Sequence, residues 1–173
     1  MSHGQIPYEA AFEHYLRSRG VPYVSVGEAP RMIFAGAKIK SFDFLVYPSD
    51  DRHWIVDLKG RRFPYVSGRG AKRYWENWIT QGDLDGLAEW ETLFGEEFGA
   101  RLVFAYLLAG PPDRWPAVRP HRFRGEDYAF LAVALADYRR YCRRRSPKWQ
   151  TVAVPKEAFR QIARPMELWC VQK

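Results

Sequence analysis

From Pro7 to Arg19 the apolar residues Tyr8, Ala11, Phe12, Tyr15 and Leu16 recur at helical spacing, which predicts an amphipathic helix entered through Pro7 and stopped by Gly20. Glu9 lies at the edge of that apolar stripe. Val21 to Val26 is rich in β-branched residues and predicts a strand, whereas Met32 to Ile39, with its Ala-Gly-Ala, shows no clear period. Ser41 to Tyr47 and Trp54 to Lys59 are both strand-like and flank a run of turn formers from Pro48 to His53, so they predict a hairpin. Gly60 to Gly70, with Pro64, Gly68 and several basic residues, reads as an exposed loop. Asp83 is the expected N-cap of a helix to Phe94, with Leu84, Leu87, Trp90, Leu93 and Phe94 inward and the acids outward.

Arg101 to Leu108 is short and apolar, the pattern of a buried strand, and Gly110-Pro111-Pro112 ends it. A long loop from Pro111 to Arg124 follows. Then come a strand at Tyr128–Leu135, a short Arg-bearing helix near Asp137–Arg144, a strand at Thr151–Val154, a helix after Pro155 and a last strand at Glu167–Val171. This order predicts an α/β protein built on a mixed sheet, with residues 1–173 as one domain whose core spans about 7–110 and whose C-terminal α/β extension spans about 111–173.

Composition narrows the class. Apolar residues make up 47 % of the chain and aromatics 16 %, enough to build a core and to exclude global disorder. Two cysteines, Cys142 and Cys170, exclude a disulfide scaffold and a thiolate metal site, and fit the reducing cytoplasm. No apolar run is long enough to span a bilayer, and Glu9, Glu13 and Arg17 stand where a signal peptide would need one, so no membrane partner is expected. The net charge of +7 is uneven: Asp83 to Glu97 holds six acids and no Lys or Arg. Basic residues cluster at Arg61, Arg62, Arg69, Lys72 and Arg73, and again from Arg139 to Lys148, as a polyanion partner would require. Solvated basic faces would have the same composition.

The chemistry concentrates in FDFLVYPSDDRHWIVDLKG, Phe42 to Gly60. If the hairpin is symmetric about Asp50, Asp43 faces Asp57, Phe44 faces Val56 and Phe42 faces Leu58, so the apolar residues share one face. Strand alternation then gathers Asp43, Asp57 and Lys59 on the other. Directly opposed carboxylates are destabilising unless compensated, and a divalent cation with oxygen ligands is a natural compensation, with Lys59 placed to orient or deprotonate a water. An exposed hairpin on which Lys59 bridges two acids would carry the same three residues. Against it, Trp54, Ile55, Val56 and Leu58 make the second strand too apolar for an exposed edge, which places the acids in a cleft or at a sheet end.

Asp43, thirteen intervening residues and Asp57-Leu58-Lys59 resemble the hairpin of the PD-(D/E)xK nuclease superfamily, although Phe42 stands where that pattern often has Pro. The resemblance implies a restriction-endonuclease-like core in the order α-β-β-β-α-β, which the predicted elements follow over about the first 110 residues. It further implies a metal-dependent nuclease that cuts phosphodiester bonds, most naturally in DNA, with Mg²⁺ or Mn²⁺ on Asp43, Asp57 and the Leu58 carbonyl. Glu9 of the first helix would add a ligand, with Glu13 the alternative one turn on. Lys59 would position the water, and Arg61, Arg62, Lys72 and Arg73 would track the nucleic-acid backbone. Members of this fold often pair to cut two strands, so a homodimer is part of the expectation. A narrower resemblance rests on PYEAAFE (Pro7–Glu13, with Pro7 in place of His), SFDFLVYP, DLKGRRFPY and RSPKW, which are similar to the HYExAFE proteins of planctomycete bacteria and imply a bacterial origin.

The alternative from another class is a catalytically inactive nucleic-acid-binding or assembly module on the same fold. Other enzymes lack support: no HExxH, GxSxG, GxGxxG or GxxxxGK[ST] occurs, and Cys142 has no partner base. Trp75 and Trp78, three residues apart on an expected helical turn, suit a core face better than a base-stacking platform.

Overall fold

Two long strands pair in parallel over their full length and organise everything else. The computed structural model describes residues 6–26, 33–34, 37–49 and 52–169 of the 173. In chain order these form helix α1 (Tyr8–Ser18), strands β1 (Tyr23–Ser25), β2 (Ile33–Phe34), β3 (Ala37–Lys38), β4 (Phe44–Val46), β5 (His53–Phe63), β6 (Tyr65–Ser67), β7 (Gly70–Lys72) and β8 (Ile79–Thr80), helix α2 (Gln81–Phe94), strands β9 (Phe98–Leu108), β10 (His121–Phe123) and β11 (Glu126–Ala134), helix α3 (Leu135–Tyr141), strands β12 (Arg143–Ser146) and β13 (Thr151–Ala153), helix α4 (Lys156–Ile162) and strand β14 (Arg164–Pro165). Among the described residues the main sheet has seven strands in the order β1-β4-β5-β9-β11-β10, with β14 added on β11. Only β5 and β9 run parallel, and α2 is the crossover between them.

The sheet is covered on both faces, which is why β9 reads as an apolar run from Leu102 to Leu108 and β5 as a shorter one from Trp54 to Val56 before its charged residues begin. On one side α1 lays Ala11, Phe12, Tyr15 and Leu16 against Trp54, Val56 and Leu58 of β5 and Val103 and Ala105 of β9. Full burial of Phe12 or Leu16 contributes about 1.5–3 kcal/mol each. On the other, Leu84, Leu87 and Trp90 of α2 pack with Ile55, Leu102 and Phe104. Gly20 ends α1 as expected: at φ 65°, it donates to Arg17 O (3.1 Å) while Val21 N–H reaches Leu16 O (3.0 Å), a closure that favours glycine.

Several boundaries differ from the expectation. The segment Gly60–Phe63 is not loop but the second half of β5, because β9 offers partners as far as Leu108. The rest of the expected loop contains the small β6–β7 hairpin. Helix α2 begins three residues early, capped by Thr80 and not by Asp83: Asp83 N–H donates to Thr80 Oγ1 (3.0 Å), and Thr80 N–H donates back to Asp83 Oδ2 (3.1 Å). Residues 73–78 are not helical. Trp75 packs on Phe63 and Tyr106 in the core. In place of a strand from Glu167, Met166–Leu168 forms a 3₁₀ turn, and residues 170–171 lie outside the described residues.

Candidate active site

The hairpin register is the predicted one: Phe44, Leu45 and Val46 face Val56, Ile55 and Trp54, so each pair sums to one hundred. At Asp43 the ladder ends: its N–H goes to Val56 O (2.9 Å), one residue short of the Asp57 that the register would give it. The chain then departs. Phe42 turns under α2 against Trp90 and Phe94, while Leu58 stays in the cluster beneath α1, so the expected Phe42–Leu58 pair does not form. Where β4 and β5 part, Leu58 N–H donates to Asp43 Oδ2 (2.6 Å). A strand residue directs its N–H and C=O to the same side, so the Leu58 carbonyl opens towards Asp43 as well.

Asp57, 8 % exposed, lies beside Asp43, and Lys59 Nζ reaches back to Asp57 Oδ1 at 3.0 Å. Burial, with the Asp57 charge next, pushes the Asp43 carboxyl up to about 7, against the opposing effects of Leu58 N–H and Lys59. Burial raises Asp57 too, although Lys59 opposes it. Two carboxyls so placed share a proton when nothing else neutralises them.

Sequence reasoning missed the second partner of Lys59. Asp83, 5 % exposed at the head of α2, lies 3.2 Å from Lys59 Nζ and also binds Lys40. Burial acts to raise the Asp83 carboxyl, but Lys59, Lys40 and Thr80 outweigh it and hold it at about 2. The same two carboxylates outweigh the effect of burial on Lys59 and keep its ammonium above the ordinary lysine value. The Thr80-x-x-Asp83 spacing was a readable signal for the helix start; the link from Asp83 to Lys59 is tertiary and has no local signature.

The other expected site residues divide. Glu9 is exposed on the first turn of α1, on the wall of a groove of about 490 Å³ that also touches Tyr8, Leu58 and Gly60. It makes no hydrogen bond or ion pair with Asp43 or Asp57 among the described residues, and no three acidic, His or Cys side chains there converge as a ready-made metal cage. Glu13 accepts from Tyr23 OH (3.3 Å) instead. Arg61 departs from a backbone-tracking role: its guanidinium lies 4.4 Å from the Trp78 ring centre and donates to the carbonyls of Trp78 and Gly60. Arg62 and Arg73 are exposed, and the side chain of Lys72 lies outside the described residues. Burial raises the Cys142 thiol, which is no activated nucleophile.

The fold is similar to that of Hjc, a Holliday junction resolvase from the archaeal hyperthermophile Archaeoglobus fulgidus, with a TM-score of 0.51 and 11 % identity over 95 % of this chain and 98 % of that one. No family model and no curated protein sequence matches the chain. The likeness establishes the fold: a mixed sheet flanked by helices, of the restriction-endonuclease-like kind. No helix among the described residues is long and apolar enough to cross a membrane.

Proposed function

We propose that the protein is a divalent-metal-dependent nuclease that hydrolyses phosphodiester bonds of DNA, with Asp43, Asp57, Lys59 and Glu9 as its working residues. The supporting observation is the half-buried Asp43 set beside the buried Asp57 where β4 and β5 part, with Lys59 anchored to Asp57, in a fold shared with a Holliday junction resolvase. The donors suit a hard cation: two adjacent carboxylates and a strand carbonyl are all oxygen, and they leave room for water and phosphate. Asp43, Asp57 and the Leu58 carbonyl would hold Mg²⁺ or Mn²⁺, and Glu9 would join from the groove wall. A bound divalent cation supplies Lewis acidity, lowering the pKa of water and neutralising charge on the scissile phosphate. Lys59, kept charged by Asp57 and Asp83, acts as a donor that orients the attacking water and not as a base. Arg62 and Arg73 are free to follow the phosphate backbone, which gives salt-dependent affinity with little sequence preference. The reading extends to a cytoplasmic bacterial enzyme of the HYExAFE kind, with a homodimer to place one centre on each strand.

Purified protein with Mg²⁺ or Mn²⁺ is expected to nick or degrade DNA and to stop in EDTA. Asp57→Ala and Lys59→Ala should each lose at least about 10²-fold in rate while still melting cooperatively. Equal activity in those variants would expose a contaminating nuclease and end the proposal. Metal-independent binding without cleavage of linear, nicked, branched or single-stranded DNA would instead leave the inactive binding module.

A further inference from the structure

The second basic cluster has no part in the chemistry above, yet it is tied to it. Strands β12, β13 and β8 form a separate three-stranded sheet in which Thr151 faces Thr80, the N-cap of α2. Gln81 N–H donates to Gln150 O (2.8 Å), so the β12–β13 hairpin is fastened to the same helical turn that presents Asp83 to Lys59.

The three arginines of β12 are all exposed but differ in what they do. Arg143 donates to the carbonyls of Tyr141 (3.3 Å) and Cys142 (2.9 Å) at the end of α3. Arg145 lies over the Trp78 ring at 5.3 Å. Arg144 has no hydrogen-bond or carboxylate partner among the described residues, and it lines a cavity of about 340 Å³ with Gln81, Ser146, Gln150 and Thr151. No acid lines that cavity. Thr151 is 3 % exposed, and its hydroxyl finds no hydrogen-bond partner among the described residues. A free guanidinium and the Gln150 side-chain amide around one space suit a phosphate, while the Gln81 amide donates to Asp85 (2.9 Å) and the Thr151 hydroxyl is closed off from solvent. In the turn above it, Trp149 is 67 % exposed, with the Lys148 ammonium 5.3 Å from its ring centre. An indole left in water beside a cation is the arrangement that stacks a nucleobase.

We propose that the β12–β13 hairpin is a nucleotide-binding surface separate from the cleavage centre, with a backbone phosphate in the cavity beside Arg144 and an unpaired base stacked on Trp149. The choice of DNA as the ligand rests on the nuclease reading. It follows that the preferred substrates carry unpaired bases next to the bond that is cut.

Binding is measured in EDTA, where cleavage does not intervene, by anisotropy of a labelled oligothymidylate and of a blunt duplex. Trp149→Ala should weaken oligothymidylate binding about tenfold and leave the duplex within about twofold, because a paired base offers no free face. Arg144→Gln should weaken both and reduce the salt slope by about one, the loss of one phosphate contact. Both positions are exposed, and thermal melts verify that the variants fold. Unchanged oligothymidylate affinity in Trp149→Ala, an equal loss on both ligands, or an unchanged slope in Arg144→Gln overturns the inference. If wild type never cuts DNA while Trp149→Ala shows the selective loss, the hairpin stands and the nuclease reading falls. If wild type cuts and both variants bind normally, the reverse holds.

Discussion

Strand β5 buries two different surfaces. Towards α1 it presents Trp54, Val56 and Leu58, an apolar row packed on the apolar face of a helix. Towards α2 it presents Ile55, then Asp57, Lys59 and Arg61, charges removed from water and held by one another, by Asp83 and by Trp78. Alternation along one strand produces both rows, but their energetics have opposite sign. Apolar burial stabilises, whereas buried ion pairs roughly offset their own desolvation and are weak contributors to stability. Along β5, the row facing α1 therefore contributes to the fold, as the apolar core under α2 does elsewhere, and the charged part of the row facing α2 is best explained by what its charges do.

The contrast breaks if the wrong face proves to hold the protein together. Phe12→Ala, at the centre of the α1 face, should cost about 3–5 kcal/mol in denaturant melts. Asp57→Asn on the opposite face should leave stability within about 1 kcal/mol while removing cleavage, because it deletes a buried charge and leaves Asp83 to hold Lys59. A large stability loss in Asp57→Asn would make that row structural and the contrast wrong.

A pH titration sharpens the same point. With the Asp43 carboxyl raised to about 7, the folded protein retains between about pH 4 and 7 a proton that the unfolded chain releases. The stabilisation is complete below about pH 4 and is lost as pH rises towards 7, by a few kcal/mol in the metal-free protein. Asp83, held at about 2, contributes the opposite slope below pH 4. Thermal melts in EDTA should thus fall from pH 4 to 7, Asp43→Asn should flatten the fall, and Mg²⁺ at pH 7 should recover much of the loss.

Gly60 joins the two faces. The Tyr8 ring lies so close above it that an added Cβ would meet ring atoms at 2.2–2.6 Å, and Tyr8 OH donates to Arg61 O at 3.0 Å. Gly60→Ala should cost about 1–3 kcal/mol as the ring and the first turn of α1 shift. Because Glu9 is the next residue, activity should fall further than stability predicts, by about 10²-fold. Tyr8→Ala in the same chain should recover stability; normal activity in Gly60→Ala alone would remove Glu9 from the site.

What was readable in the sequence was local. The Phe44–Val46 register follows from period two and a turn, and α1 from its stripe and Gly20. The pairing of Asp43, Asp57 and Lys59 was legible because one hairpin carries all three. Gly60–Phe63 was not, since glycine and two arginines look like loop until an eleven-residue parallel partner is known. Asp83 reads in the sequence only as a helix N-cap, because no local pattern connects it to a lysine on a distant strand.

Arg61 and Arg62 give the finest test, being neighbours on one strand that alternation sends to opposite environments. Arg61 is held by the Trp78 ring and two carbonyls, so Arg61→Gln should lose about 1–2 kcal/mol of stability and affect DNA binding only through the fold. Arg62 is exposed, so Arg62→Gln should stay within about 0.5 kcal/mol while the salt slope of DNA binding drops by about one. The same slope change in Arg61→Gln, with stability intact, would mean that the guanidinium leaves Trp78 to meet phosphate and that the buried row of β5 ends at Lys59.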